Sequence, residues 1–227
     1  MSASQICRWH EFDTPAGFEQ AACRFILESA MRAIEAQGAF RIVLAGGNTP
    51  RNIYHALCDA DTDWSAWHVY FGDERCLPAD DPKRNCCMAR NTWLDHVAIP
   101  SSHIHAIPGE LGPDIAAENY AREIAQVGQF DLVLLGLGED GHTASLFPGG
   151  AWEEAKILPD VMPVHDAPKP PRQRVSLSPA RLSRAAHVMY LVSGESKREA
   201  VTKWRAGVAI PASKICPAAG VHVFWCA

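Results

Sequence analysis

The residues best suited to chemistry in this chain are Asp140-Gly141-His142, followed by Thr143-Ala144-Ser145. A neutral imidazole can take up a proton near pH 7, and a carboxylate two residues away can orient it or cap a following helix. Gly136, Gly138 and Gly141 shape tight backbone around the histidine. Such a setting disfavours imidazolium and keeps the ring neutral, as a general base requires. Thr143, Ala144 and Ser145 suggest that a helix begins just after it. Three more clusters could hold an anion. Gly46-Gly47-Asn48-Thr49-Pro50 joins a strand to a helix, where free backbone N–H groups attract negative charge. A plain turn, with Thr49 as N-cap and Pro50 as first helical residue, fits the same residues. Neither G-x-G-x-x-G nor a Walker loop is present, so a nucleotide is not indicated. Asp73-Glu74-Arg75 follows an apolar run and is either a solvated charge cluster or the place of a phosphate fork on Arg75. Ser193-Gly194-Glu195-Ser196-Lys197 repeats the layout. A lysine at a helix start carries a small cost from the helix dipole that a bound anion would offset.

The elements that must carry these clusters alternate. Phe18, Ala22, Phe25, Ile26, Ala30 and Ile34 recur at helical spacing up to Gly38,. Strands are predicted over 40–45, 67–71, 130–135, 174–177, 188–192 and 221–225, with helices over 50–57, 115–127 and 195–205. The Pro-rich stretch 159–171 reads as a surface loop. This pattern predicts one α/β domain over 1–227, a three-layer α/β/α fold around a mainly parallel, Rossmann-like sheet. All four clusters then fall at the carboxyl edge of the sheet, where such folds bind ligands.

Composition narrows the partners. With 227 residues, 48% of them hydrophobic, and a net charge of −5, the chain lacks the broad basic face of a nucleic-acid binder,. A few placed cations still suffice for one phosphate. Residues Met1 to Phe12 carry no signal-peptide pattern, and no apolar run is long enough to span a bilayer,. The eight cysteines stand at no C-x-x-C spacing, so they read as reduced thiols of a cytoplasmic protein, with Cys86-Cys87 the one place for a redox switch,. His103-Ile104-His105 has no third ligand at a suitable spacing and reads as loop, so neither metal nor cofactor is expected.

In this order the pieces resemble the 6-phosphogluconolactonase family. The matching residues are Ala45 to Pro50, Gly72 to Arg75, Asn85, Leu137 to Pro148, Ala167 to Pro171 with Arg174, and Ser193-Gly194 with Lys197. The D-G-H-T-A-S-L-F-P string and the P-K-P-P segment before an arginine are the most specific parts. Asn48 departs from the Ser more usual in the family, and Arg84 from the Ser usual before Asn85. The resemblance implies a fold similar to that of glucosamine-6-phosphate deaminase and hydrolysis of 6-phospho-D-glucono-1,5-lactone in the oxidative pentose phosphate pathway. By the same resemblance His142 is the base, with Asp140 beside it. Gly46, Gly47, Asn48, Thr49, Asp73, Arg75, Asn85, Gly138, Arg174 and Lys197 bind the sugar phosphate. The protein would need no cofactor and would be a monomer or weak homo-oligomer. Two alternatives share the fold. The deaminase-like isomerases have a glutamate where this chain has Phe147, and an aromatic residue in place of Arg75. Sugar-phosphate effector domains of transcriptional regulators carry an N-terminal DNA-binding module, for which the roughly forty residues before the first predicted strand are too few and not basic.

Overall fold

The apolar runs after residue 40 form strands as their composition predicts. The computed structural model describes residues 5–227. The first half runs β1 (Cys7–Phe12), α1 (Pro15–Gln37), β2 (Phe40–Leu44), α2 (Asn48–Leu57), β3 (Trp67–Phe71), β4 (Asp73–Arg75), α3 (Asn85–Thr92) and β5 (Ile104–His105). The second runs α4 (Pro113–Ile124), β6 (Phe130–Gly136), β7 (Val161–Val164), β8 (Arg174–Leu177), α5 (Pro179–Ser183), β9 (Ala185–Ser193), α6 (Arg198–Arg205) and β10 (Val221–Cys226). Seven strands make a wholly parallel sheet in the order β1-β10-β9-β6-β2-β3-β5. Val133 of β6 sits beside Val43 of β2 and Val188 of β9, and all three are buried.

Connectivity sets the position of the site. From the β1 edge the chain jumps to the centre at β2 and fills outward through β3 and β5. It then returns to the other side of β2 as β6 and fills outward through β9 and β10. Strand order therefore reverses between β2 and β6, and at such a switch point the loops splay apart and leave a crevice at the carboxyl edge. The helix α1 begins at Thr14, whose hydroxyl accepts from Gly17 N at 3.2 Å, and closes on left-handed Gly38 as predicted,. Its buried side (Phe18, Ala22, Ile26, Ala30) seals the sheet.

Several expectations need correction. A strand, β1, precedes residue 40, so the N-terminal region is part of the sheet itself. The strand at 174–177 is not in the parallel sheet: β8 pairs antiparallel with β4 and with β7, in a separate small sheet. The supposed Pro-rich loop supplies β7. Helix α2 starts at Asn48 with Gly47 as its cap, not Thr49, whose hydroxyl instead meets Ser193 Oγ at 2.7 Å. His103-Ile104-His105 ends a short 3-10 turn and forms the edge strand β5. No helix follows His142: Ala144 takes φ +47°, and Thr143 and Leu146 close a turn instead.

Candidate active site

The Asp73-Glu74-Arg75 segment is rigid, not a solvated charge cluster, because Glu74 is wholly buried. Its carboxylate accepts from Arg75 N at 2.8 Å, Asn85 N at 2.6 Å and Cys86 N at 2.9 Å, so it also serves the N-terminus of α3,. Arg84 stands 3.5 Å away and reaches on to Glu110 and the Ile107 carbonyl. This ion pair fixes the strand that presents Asp73 and Arg75. In the ladder Arg75 lies directly opposite Arg174. Like charges paired across strands repel. The Arg75 Nε is moreover buried without a partner. Two juxtaposed guanidiniums, one with an unused donor, make a receptor for an anion.

His142 hangs from the loop after β6. Gly138 N donates to the His142 carbonyl at 2.7 Å, and Gly141 N to the Gly138 carbonyl at 3.0 Å. A Cβ on Gly138 would overlap the imidazole and the Asp140 carboxylate, so glycine is required there. His142 Nδ1 donates to Asp140 Oδ1. A carboxylate only accepts, so this bond fixes the proton on Nδ1 and leaves the Nε2 lone pair free. Burial pushes the His142 imidazole below its ordinary value; Asp140 pulls the other way without overcoming it, and Lys169 adds to the lowering. Burial alone would raise Asp140, but the hydrogen bond and charge of His142 outweigh it and hold the carboxyl below the usual range.

Gly46, Gly47, Asp73, Arg75, Gly138, His142, Arg174 and Lys197 all line one cleft of about 190 Å³ at the switch point. Larger hollows exist, such as the apolar groove of about 860 Å³ along α1, but they lack this convergence of base and cations. Three residues stand differently. Asn48 is exposed at the start of α2, and Thr49 ties the β2 loop to the β9 loop through Ser193. Asn85 is buried and donates from Nδ2 to the Asp73 carbonyl at 2.9 Å and to Asp73 Oδ1 at 3.1 Å, so it supports Asp73 from behind. Arg174 reaches the cleft with much of its fork engaged. Its Nε donates to the Pro171 carbonyl at 3.0 Å, and its Nη2 to Lys169 at 3.1 Å and Pro170 at 3.4 Å.

Sequence reasoning left three contributors without roles. Ser145 donates to Asp73 Oδ2 at 2.6 Å, Lys169 acts electrostatically on the His142–Asp140 pair, and Phe147 packs against the imidazole. All three lie in the two most specific segments of the sequence, D-G-H-T-A-S-L-F-P and P-K-P-P, which mark the place without naming the part each side chain plays. The eight cysteines form no disulfide among the described residues, and burial beside Glu74 pushes the Cys86 thiol up, away from reactivity,.

In sequence and fold the chain is similar to known proteins. The family described as glucosamine-6-phosphate isomerases/6-phosphogluconolactonase matches residues 13–225. A 6-phosphogluconolactonase of Synechocystis sp. is 40% identical over 179 residues, 75% of this chain and 73% of its own. One from Mycobacterium leprae is 36% identical over 215 residues, covering 88% and 85%. The crystal structure of a 6-phosphogluconolactonase from Thermotoga maritima superposes with a TM-score of 0.90 over 98% of this chain and 100% of its own, at 26% identity.

Proposed function

The chain belongs to the glucosamine-6-phosphate isomerase/6-phosphogluconolactonase family, and we infer from that premise that it is an enzyme hydrolysing 6-phospho-D-glucono-1,5-lactone to 6-phospho-D-gluconate in the oxidative pentose phosphate pathway. The observation that carries this reading is an imidazole held by a carboxylate and a pair of facing arginines, all lining one small cleft. The phosphate binds to Arg75, the free nitrogen of Arg174, Lys197 and the backbone at Gly46 and Gly47. It anchors a small polar substrate against the base. Nε2 of His142 takes a proton from water as the water attacks the lactone carbonyl, and Asp140 steadies the imidazolium that forms. That imidazolium returns the proton to the ring oxygen as it leaves. Asp73 accepts from a sugar hydroxyl. The deaminase-like reading is disfavoured because position 147 offers a buried phenyl ring and no carboxylate. We place the enzyme in the cytoplasm, as one domain and a monomer or weak homo-oligomer. Among the described residues, no helix is long and apolar enough to cross a membrane.

Turnover of freshly generated 6-phosphogluconolactone above its spontaneous hydrolysis, coupled to 6-phosphogluconate oxidation, tests the reading; a rate equal to the blank would refute it. Among the described residues no three His, Cys, Asp or Glu side chains are placed to hold a metal ion. Activity should therefore survive excess EDTA, and loss restored by a divalent cation would contradict the scheme. Asp140→Asn should move the acid limb of the kcat–pH profile downward. The carboxylate raises the His142 pKa, so without its charge the base stays neutral to lower pH. An upward move would contradict the role given to Asp140.

A further inference from the structure

Phe147 touches the base without lining the cleft. Its ring centroid lies 4.6 Å from that of His142, with 38° between the planes. The side chain is buried, and the Arg174 guanidinium carbon stands 5.4 Å from the ring centroid. Its backbone is pinned as well: the Phe147 carbonyl accepts from Trp152 Nε1 at 2.9 Å and from Gly150 N at 3.2 Å. Beyond the ring is a cavity of about 640 Å³, lined by Phe147 together with Trp152, Leu158, Met162 and Val164. The phenyl ring is thus a partition, with the catalytic cleft on the His142 side and this hollow on the other.

We propose that Phe147 is a positioning residue for the base: it seats the His142 ring beside Gly138 and seals it from water in the neighbouring cavity. The inference rests on His142 being the general base. Two consequences follow from the contacts. A ring held between a glycine too small to displace it and a pinned phenyl has little freedom to swing Nε2 away from substrate. A ring kept from the cavity's water also stays neutral more readily, because burial is the largest influence on His142,. The charged groups around the imidazole are Asp140 from its own loop, Asp73 from β4 and Lys169 from the segment before β8, with Arg174 behind Phe147. Phe147 is neutral, so its removal alters hydration and leaves those charges in place.

The test is the pH dependence of kcat in the full chain, with Phe147→Ala and Phe147→Leu beside wild type. Phe147→Ala admits water and leaves Asp140 to dominate, so the acid limb should rise by about one pH unit, costing about tenfold in rate below the midpoint. Phe147→Leu keeps an apolar cover and should hold the midpoint near wild type while lowering kcat through a looser ring. A residue that merely fills space would lower kcat or stability without moving the limb, and that result in both variants overturns the proposal. Should Phe147→Ala not fold, Phe147→Val takes its place with the same direction expected. NMR titration of the His142 imidazole reads the shift without turnover. An unmoved midpoint there refutes the role of Phe147 alone, whereas full activity in a His142 variant refutes the base.

Discussion

His142→Ala is expected to lower kcat by about 10²–10⁴-fold, the usual worth of a positioned general base. Asp140 would still line up beside the loop, but its carboxyl is held below the usual carboxylate range mainly by His142, with Lys169 adding to it, and an ionised carboxylate carries no proton to relay. The anion site is built from β4, β8 and the loop after β9, none of which depends on the imidazole. Affinity for 6-phosphogluconate, measured by calorimetry, should therefore stay within a few-fold of wild type. The melting temperature should also hold, because His142 is only partly buried and its loop is secured by main-chain bonds from Gly138 and Gly141. A variant with near-normal kcat would remove His142 from the mechanism. One that loses product affinity to the same degree would make it a binding residue.

The second large effect is expected at the phosphate. A charge-assisted hydrogen bond contributes roughly 1.5–3 kcal/mol, so Arg75→Ala and Lys197→Ala should each lose about ten- to a hundredfold in kcat/KM. Unphosphorylated gluconolactone is the control. Wild type should already handle it poorly, and the variants should be little worse. Arg75 adds an internal check. It faces Arg174 directly across the ladder, so its removal relieves a like-charge contact even as it removes a ligand,. Binding should therefore weaken without a matching loss of stability in the free protein. Equal losses on both lactones would assign Arg75 and Lys197 to the reacting ring or to the fold.

Much of this site could be read in the sequence because its parts are strand-to-loop junctions, where an apolar run ends abruptly in glycine. The runs at β2, β3, β6, β9 and β10 were legible on that ground. The strand β1 was not: Cys7 to Phe12 includes Arg8, His10 and Glu11 and, at the edge of the sheet among the described residues, pairs with β10, so it has no continuous apolar signal. The small sheet was hidden for a different reason. Its first strand is Asp-Glu-Arg, and nothing local announces that Arg84 and three backbone amides will let Glu74 be wholly buried. The helix expected after His142 failed because Thr143 and Ser145, good cap residues in isolation, bond elsewhere. Thr143 Oγ1 donates to the Gly136 carbonyl at 2.8 Å and Ser145 Oγ to Asp73. Tertiary partners outbid local capping there, and sequence periodicity carries no trace of them.

The clamp on the segment before β8 is a matter of complementary inventories. Pro168, Pro170 and Pro171 have no N–H, so this stretch offers carbonyl oxygens and almost nothing to pair them with from within,. Arginine is the reverse, a planar fork of donors that accepts nothing. Arg174 answers three consecutive carbonyls with two nitrogens while its side chain also lines the cleft. A lysine's single ammonium could not span the same row. The shape of the loop is therefore written largely outside it, at position 174. A change there would reach Lys169 and the mouth of the cleft through lost donors to those carbonyls as well as through lost charge, which ties the architecture of one surface loop and the recognition of an anion to a single codon.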